Sequence, residues 1–179
     1  DNFFYGQSLG KKLKECINLK KGSKVFIHPV ANPSAYGVAK IKNKKIIKII
    51  EKPKKFISNL AVTGLYFFDN KVINFAKKLK PSKRKELEIV DLLNKYLTKN
   101  ELKAEFLGRG GAWLDTGSIN DFYNTSSFVS AIENRQGLKI ACLEEIAFSN
   151  KWINKKTLLK SIKFYGKCDY SKYLLSLIK

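Results

Sequence analysis

Residues 36–68 read YGVAKIKNKKIIKIIEKPKKFISNLAVTGLYFF, and the rhythm of apolar residues inside this stretch decides the fold. Two short apolar runs, 36–41 and 46–50, flank the polar pair Asn43-Lys44, the signature of two strands joined by a tight hairpin. Residues 60–68 form a longer strand candidate that stops at the turn signal Asp69-Asn70. Upstream, residues 8–20 place Leu9, Leu13, Cys16 and Ile17 on one helical face before Gly22, and residues 25–28 read as another strand. Downstream, Asn70 is positioned to cap a helix with an apolar face of Val72, Phe75, Ala76 and Leu79, ended by Pro81. Residues 86–98 carry the cleanest helical pattern, with Ile89, Leu92, Leu93, Tyr96 and Leu97 on one face. Strands over 103–107 and 112–114 follow, separated by the loop Gly108-Arg109-Gly110-Gly111. Ser118-Ile119-Asn120-Asp121 resembles a capping box opening a helix that ends at Gly137, and two further helices lie around 158–162 and 170–178.

Strands interleaved with helices of about 10–15 residues imply an α/β layered sheet, and the hairpin makes that sheet mixed rather than purely parallel. The last third is almost wholly helical, with no glycine-rich linker before it. The expected organisation is therefore an α/β core over residues 1–128 and a helical appendage of the same domain over 129–179.

Composition narrows the function classes. A chain of 179 residues with 44% hydrophobic content can bury about 70% of its unfolded surface, enough for a real core. No apolar run approaches the ~18 residues of a membrane helix. The first residue is Asp and no basic segment precedes an apolar one, so neither a start methionine nor a signal peptide is read, and the chain is expected to be a fragment. Net charge is +20, but nearly all of it is lysine, and Arg84, Arg109 and Arg135 are the only arginines. Readers of nucleic acid favour guanidinium forks and stacking platforms. Scattered lysines instead imply a positive surface that attracts small anions such as nucleotides. Cys16, Cys142 and Cys168 are odd in number and widely spaced, which argues against a disulfide framework or zinc site and fits a reducing cytoplasm. His28, the sole histidine, is expected to be a strand residue with a satisfied ring.

Three kinds of residue could carry chemistry. Asp115 stands in Trp113-Leu114-Asp115-Thr116-Gly117, at a strand end before a capped helix, where α/β folds present side chains to ligands. A carboxylate there suits Mg²⁺, although an Asp before a turn glycine is more often a plain turn residue. Glu51-Lys52-Pro53 ends a β-rich run, with Pro53 expected to hold Lys52 extended. Lys52 would then be a point charge for a phosphate and Glu51 an acceptor for sugar hydroxyls, or the two a solvated surface pair. Arg84 offers a phosphate-sized fork in a loop that could as well be merely basic. Gly37 and Gly64 interrupt strand patterns, which marks either a bulge or close approach of a ligand to the backbone.

In order along the chain, Asp1-Asn2-Phe3-Phe4-Tyr5-Gly6, Tyr36-Gly37-Val38, Glu51-Lys52-Pro53, Ala61 to Phe67, Glu86-Leu87-Glu88-Ile89, Gly108-Arg109-Gly110, Ala112 to Gly117 and Glu133 to Lys139 resemble the glucose-1-phosphate thymidylyltransferases. The resemblance runs through Glu144-Glu145-Ile146-Ala147 and covers nearly the whole chain. It implies a Rossmann-like nucleotidyltransferase fold, partial here, with residues 1–128 its sugar and metal half. In that family a sugar 1-phosphate attacks the α-phosphorus of dTTP, giving dTDP-glucose and pyrophosphate.

By matching motif, Asp1 and Asp115 would hold Mg²⁺, and Lys52 and Arg84 would grip the sugar phosphate. Glu51 would bond sugar hydroxyls, with Tyr36, Gly37, Val62 and Thr63 shaping the pocket. Tyr5-Gly6-Gln7 and Glu144 to Ala147 would belong to a second, regulatory nucleotide site, and the full-length protein to a homo-oligomer, a tetramer in the family. Lys85 stands where the family has a small residue. The glycine-rich loop that cradles dTTP phosphates in the family has no counterpart in these residues, so the fragment alone is expected to be inactive. A relative using another nucleotide, or a non-catalytic sugar-nucleotide-binding or complementing module, are the alternatives.

Overall fold

The computed structural model describes residues 1–7 and 9–178; Ser8, the expected start of the first helix, lies outside the described residues. The chain falls into two compact units, Asp1–Thr116 and Gly117–Lys179. The first contains β1 (Asn2–Tyr5), α1 (Leu9–Ile17), β2 (Ser23–Pro29), a 3-10 turn (Pro33–Ala35), β3 (Gly37–Lys42), β4 (Lys45–Glu51), β5 (Leu60–Phe68), α2 (Lys71–Ala76), α3 (Ile89–Leu97), β6 (Leu102–Phe106) and β7 (Ala112–Asp115).

The hairpin forms as read. Asn43 and Lys44 both take positive φ, 50° and 63°, the conformation whose twist matches two antiparallel strands. The resulting five-stranded sheet has the order β4-β3-β5-β2-β6, and β1 with β7 makes a separate two-stranded ladder. β2 runs parallel to β6 and antiparallel to β5, so the sheet is mixed.

One face of the sheet is closed by α3. Val90, Leu93 and Tyr96 reach across to Val25, Ile27, Ala39, Ile49 and Val62, residues at alternate positions of their strands as a half-covered sheet requires. Phe26, pointing the other way, packs with Cys16 and Leu107, against Leu9, Leu13, Phe67 and Trp113. The alternation of β2 therefore feeds both sides of the sheet.

The second unit is helical: α4 (Ile119–Gln136), α5 (Leu143–Ser149), α6 (Lys155–Tyr165) and α7 (Asp169–Ser176). Ser118 caps α4 by accepting from the Asp121 N–H, and Gly137 ends it with φ 70°, both as expected from sequence. α4 runs across positions 128 and 129, where the sequence reading divided the chain. A small core of Cys142, Leu158 and Leu174 holds α5 to α7 together.

Several local expectations are corrected. Asn70 does not cap α2; its φ of −62° is already helical. The cap is Asp69, whose carboxylate accepts from the Lys71 N–H at 3.1 Å and from the Gly22 N–H at 2.8 Å. α2 stops at Ala76 rather than running to Pro81. Lys52 is not extended but has φ 40°, because its N–H turns back to the Tyr36 carbonyl at 3.0 Å. The ring of His28 is not satisfied: Nδ1 is buried without a partner among the described residues. Burial accordingly lowers its pKa and favours the neutral imidazole. β1 and α5 were not read as elements at all.

Candidate active site

The carboxylates expected to act together lie where β1 and β7 pair, Asp115 closing β7 and Asp1 immediately preceding β1. Asn2 stands opposite Asp115 in the antiparallel ladder, and the Thr116 N–H donates to the Asp1 carbonyl at 2.9 Å. Asp1 and Asp115 thus occupy adjoining rungs, though they stand at opposite ends of the unit's sequence. Asp1 is exposed and Asp115 half-buried.

Between them sits a residue that the sequence reading assigned no role. The Asn2 Oδ1 accepts from the Trp113 Nε1 at 2.7 Å and from the Gly64 N–H at 3.2 Å, while its Nδ2 donates to the Asp1 carboxylate at 2.7 Å. One amide therefore ties β1 to β7 and to β5, and orients the Asp1 side chain. This also explains Gly64. A methyl group there would lie 2.2 Å from Asn2 Nδ2, so the close approach that the glycine permits is that of Asn2. Nothing in the spacing of a lone Asn signals such a role; it exists only once three distant strands meet.

The cationic group lies at the end of β4. Glu51, Lys52, Ser82, Arg84, Glu88 and Asn94 line a surface cavity of about 400 Å³. Arg84 faces three carboxylates: Glu86 in direct contact, Glu88 at 3.6 Å and Glu51 at 3.8 Å. Its hydrogen bond to Glu86 raises its already high pKa. Burial pushes the Glu51 carboxyl up and Glu88 reinforces this, with Lys52 and Arg84 pulling the other way. Ser82 fixes the loop, its hydroxyl donating to Glu88 at 2.7 Å and accepting from the Arg84 N–H at 3.1 Å.

Tyr36 connects the two groups. Its ring meets that of Trp113 edge to face, with centroids 5.0 Å apart, and its carbonyl holds Lys52. A Cβ on the next residue, Gly37, would lie 2.9 Å from Val90 Cγ2, 3.1 Å from Glu51 Oε2 and 3.6 Å from Val62 Cβ. Gly37 therefore leaves room first for Val90 of α3 and then for the Glu51 carboxylate. A chain of contacts, Asp1 to Asn2 to Trp113 to Tyr36 to Lys52, thus links the carboxylate corner to the cationic cavity. Val62 and Thr63 sit differently. Val62 is part of the core, and the Thr63 hydroxyl is fully buried, donating to the Phe26 carbonyl at 3.0 Å. With the whole residue buried, neither the hydroxyl nor the backbone of Thr63 is exposed to a ligand in this structure.

Hard oxygen donors on paired strands suit a small divalent cation that keeps several waters, and the partner of the Asp1 carboxylate, a neutral amide, is easily exchanged. Among the described residues no group of three or more His, Cys, Asp or Glu converges, so a cation here would take the two carboxylates and complete its shell with water or phosphate oxygens.

The comparisons with known proteins decide the family. The sequence model described as Nucleotidyl transferase matches residues 1–131. The chain belongs to the nucleotidyl transferase family. It is 46% identical to the glucose-1-phosphate thymidylyltransferase of Neisseria meningitidis over 100% of this chain and 62% of that protein. It is 42% identical to that of Mycobacterium tuberculosis, with the same two coverages. The chain thus spans less than two thirds of the length of these relatives. Among solved structures, a Bacillus anthracis protein described as a glucose-1-phosphate thymidylyltransferase in complex with a sucrose matches with TM-score 0.63 and 41% identity. That match covers 72% of this chain and 51% of the other. A UDP-glucose pyrophosphorylase complexed with UDP-glucose matches with TM-score 0.62 and 25% identity, covering 70% and 52%.

The stretch matched by the nucleotidyl transferase model contains every residue of the carboxylate corner and of the cationic cavity. The rest of the second unit has its own polar cluster. Glu144 accepts from the hydroxyls of Tyr165 and Tyr170, and Glu145 from that of Tyr173. Burial alone would raise the Glu144 carboxyl, but the two tyrosines outweigh it and hold it low. Both carboxylates are thereby spent on fastening α5 to α6 and α7.

Proposed function

We propose that this nucleotidyl transferase chain is the acceptor-sugar and metal half of an enzyme that makes dTDP-glucose and pyrophosphate from glucose 1-phosphate and dTTP. The observation that supports this reading is the chain of contacts through Asn2, Trp113 and Tyr36 that links the Asp1 and Asp115 corner to the cavity of Glu51, Lys52 and Arg84. In the reaction a phosphate oxygen of the sugar 1-phosphate attacks the α-phosphorus, and the bond to the β-phosphate oxygen breaks. The substrate is its own nucleophile, so the protein's task is alignment and charge neutralisation.

Arg84 and Lys52 bind the sugar phosphate, and Glu51 accepts hydrogen bonds from sugar hydroxyls. Tyr36 and Gly37 bound the sugar, and Asn2 keeps the Asp1 carboxylate in place. Asp1 and Asp115 would hold Mg²⁺, which when bound screens the repulsion between the two phosphate groups. The nucleotide itself is proposed to be held by a glycine-rich loop outside these 179 residues, without which the chain does not turn over. A cytoplasmic location and assembly of the full-length protein into a homo-oligomer belong to the same reading.

The test is Asp115→Asn in the full-length protein, assayed by Mg²⁺-dependent pyrophosphate release from dTTP and glucose 1-phosphate. A loss of at least about 100-fold is expected for a metal ligand in phosphoryl-type transfer; retained release refutes the metal assignment. Running UTP, CTP and ATP beside dTTP identifies the nucleotide, and a preference for one of them would replace dTTP in this reading.

A further inference from the structure

Resting on the reading of Arg84 as a grip for the sugar phosphate, we propose that Glu86 is an internal stand-in for that phosphate. It holds the guanidinium until the acceptor sugar arrives and leaves when it binds, so that Glu86 sets the affinity for sugar phosphate. One guanidinium faces Glu51, Glu86 and Glu88, and a phosphate delivered to it would bring further negative charge into the same cluster. At least one carboxylate must withdraw.

Anchoring and exposure identify which. The Glu88 side chain is 11% exposed and is fixed by the Ser82 hydroxyl. Glu51 is 24% exposed and fits into the space that Gly37 leaves open. Glu86 is 60% exposed, and its direct contact is to Arg84 alone among the interactions described here. Its departure into water therefore costs least.

The backbone explains why Glu86 reaches Arg84 at all. Lys85 takes φ 62°, which reverses the chain, and two bonds close the turn: Ser82 N–H to the Glu86 carbonyl at 2.8 Å and Lys85 N–H to the Ser82 carbonyl at 2.9 Å. The main chain of Glu86 is thus held while its side chain remains free to swing. Glu86 takes Nη2, which belongs to both forks of the guanidinium, while Nη1 faces Glu51 and Nε faces Glu88, so a phosphate that takes two N–H groups of Arg84 competes with Glu86 for that nitrogen.

Calorimetric titration of the chain with glucose 1-phosphate, and separately with inorganic phosphate, tests this in the wild type, Glu86→Gln, Glu86→Ala and Arg84→Gln. Both Glu86 variants are expected to bind both ligands about 3–10-fold more tightly, the scale of one exposed charge-assisted contact, and Arg84→Gln to lose binding. The alanine variant covers the case in which glutamine still bonds Arg84. Unchanged or weaker binding in both Glu86 variants, with binding lost in Arg84→Gln, overturns the stand-in and leaves the sugar-phosphate reading intact. Wild-type affinity in Arg84→Gln, or no binding by any form, overturns the reading itself and the stand-in with it.

Discussion

Replacing Gly64 with Ala should break the Asn2 side-chain link between β1 and β5, and the size of the effect follows from contacts in the structure. The new methyl group would lie 2.2, 2.5 and 2.8 Å from the Nδ2, Cγ and Oδ1 of Asn2, well inside van der Waals contact, so the Asn2 side chain must move. Moving it breaks its bonds from Trp113 and Gly64 and its bond to Asp1. Each such bond contributes a net ~0.5–1.5 kcal/mol, with water recovering part of it because Asn2 is exposed. Removing a glycine from a strand returns about 0.5–1 kcal/mol. The expected net loss is therefore about 1–2 kcal/mol.

The decisive measurement is a double-mutant cycle with Asn2→Ala, which deletes the obstructing side chain. Gly64→Ala should be neutral or stabilising in that background, giving a coupling of at least about 1 kcal/mol. Urea unfolding followed by Trp113 fluorescence reports this, with Trp152, the other of the two tryptophans, replaced by Phe so that the signal belongs to the first unit. If the two substitutions simply add to within about 0.5 kcal/mol, Asn2 does not occupy the space beside Gly64 and its role as the orienter of Asp1 is refuted.

Four further outcomes follow from the same physical grounds. Tyr96→Phe removes the 2.8 Å hydrogen bond to Asp69 and should cost about 1–2 kcal/mol in urea unfolding of the first unit. Burial alone would raise the Asp69 carboxyl, but the Gly22 N–H, the Tyr96 hydroxyl and Lys71 outweigh it and hold it below the ordinary value. A depressed native pKa means that this stabilisation is complete above the unfolded value of about 3.9 and lost as pH falls through the lower native one. Asp69→Asn should therefore flatten the acid limb of stability against pH, and an unchanged limb would count against the cap. Lys85→Gly, which removes a side chain from a left-handed residue with φ 62°, should stabilise by up to about 1 kcal/mol; a loss in thermal unfolding would contradict the strain at this turn. Glu144→Ala removes the acceptor shared by the Tyr165 and Tyr170 hydroxyls and should destabilise the second unit by about 0.5–1.5 kcal/mol, read from Trp152 fluorescence. An unshifted midpoint there would mean that the tyrosines do not fasten α5.

Elements built from local pattern were legible in advance. The hairpin at Asn43-Lys44, the strand 60–68, the apolar face of α3 and the cap-to-glycine span of α4 each carry their signal within a few residues. β1 was not legible, since Asn2–Tyr5 has too few residues to show alternation and is a strand only because β7 lies beside it. α5, with seven residues, is similarly too short to show a period. The Asn70 cap was misread because Asp69 and Asn70 are chemically alike, and only the strand that delivers Gly22 favours Asp69.

The same division separates the two halves of the candidate site. Asp1, Asp115, Glu51, Lys52 and Arg84 could be named from sequence, because a resemblance spread over eight motifs attaches a role to each. Their connection could not. Sequence alone determined which chemical groups are present and the mixed character of the sheet, because residue type and hairpin patterning are local properties. Tertiary structure decided that Asn2 bridges Trp113, Gly64 and Asp1, and that Tyr36 joins the carboxylate corner to the cationic cavity. It also decided that Arg84 is held by Glu86, Glu88 and Glu51. Hydrogen bonds and ion pairs act over a few ångströms, and for most of these residues only the folded sheet brings their partners within that distance.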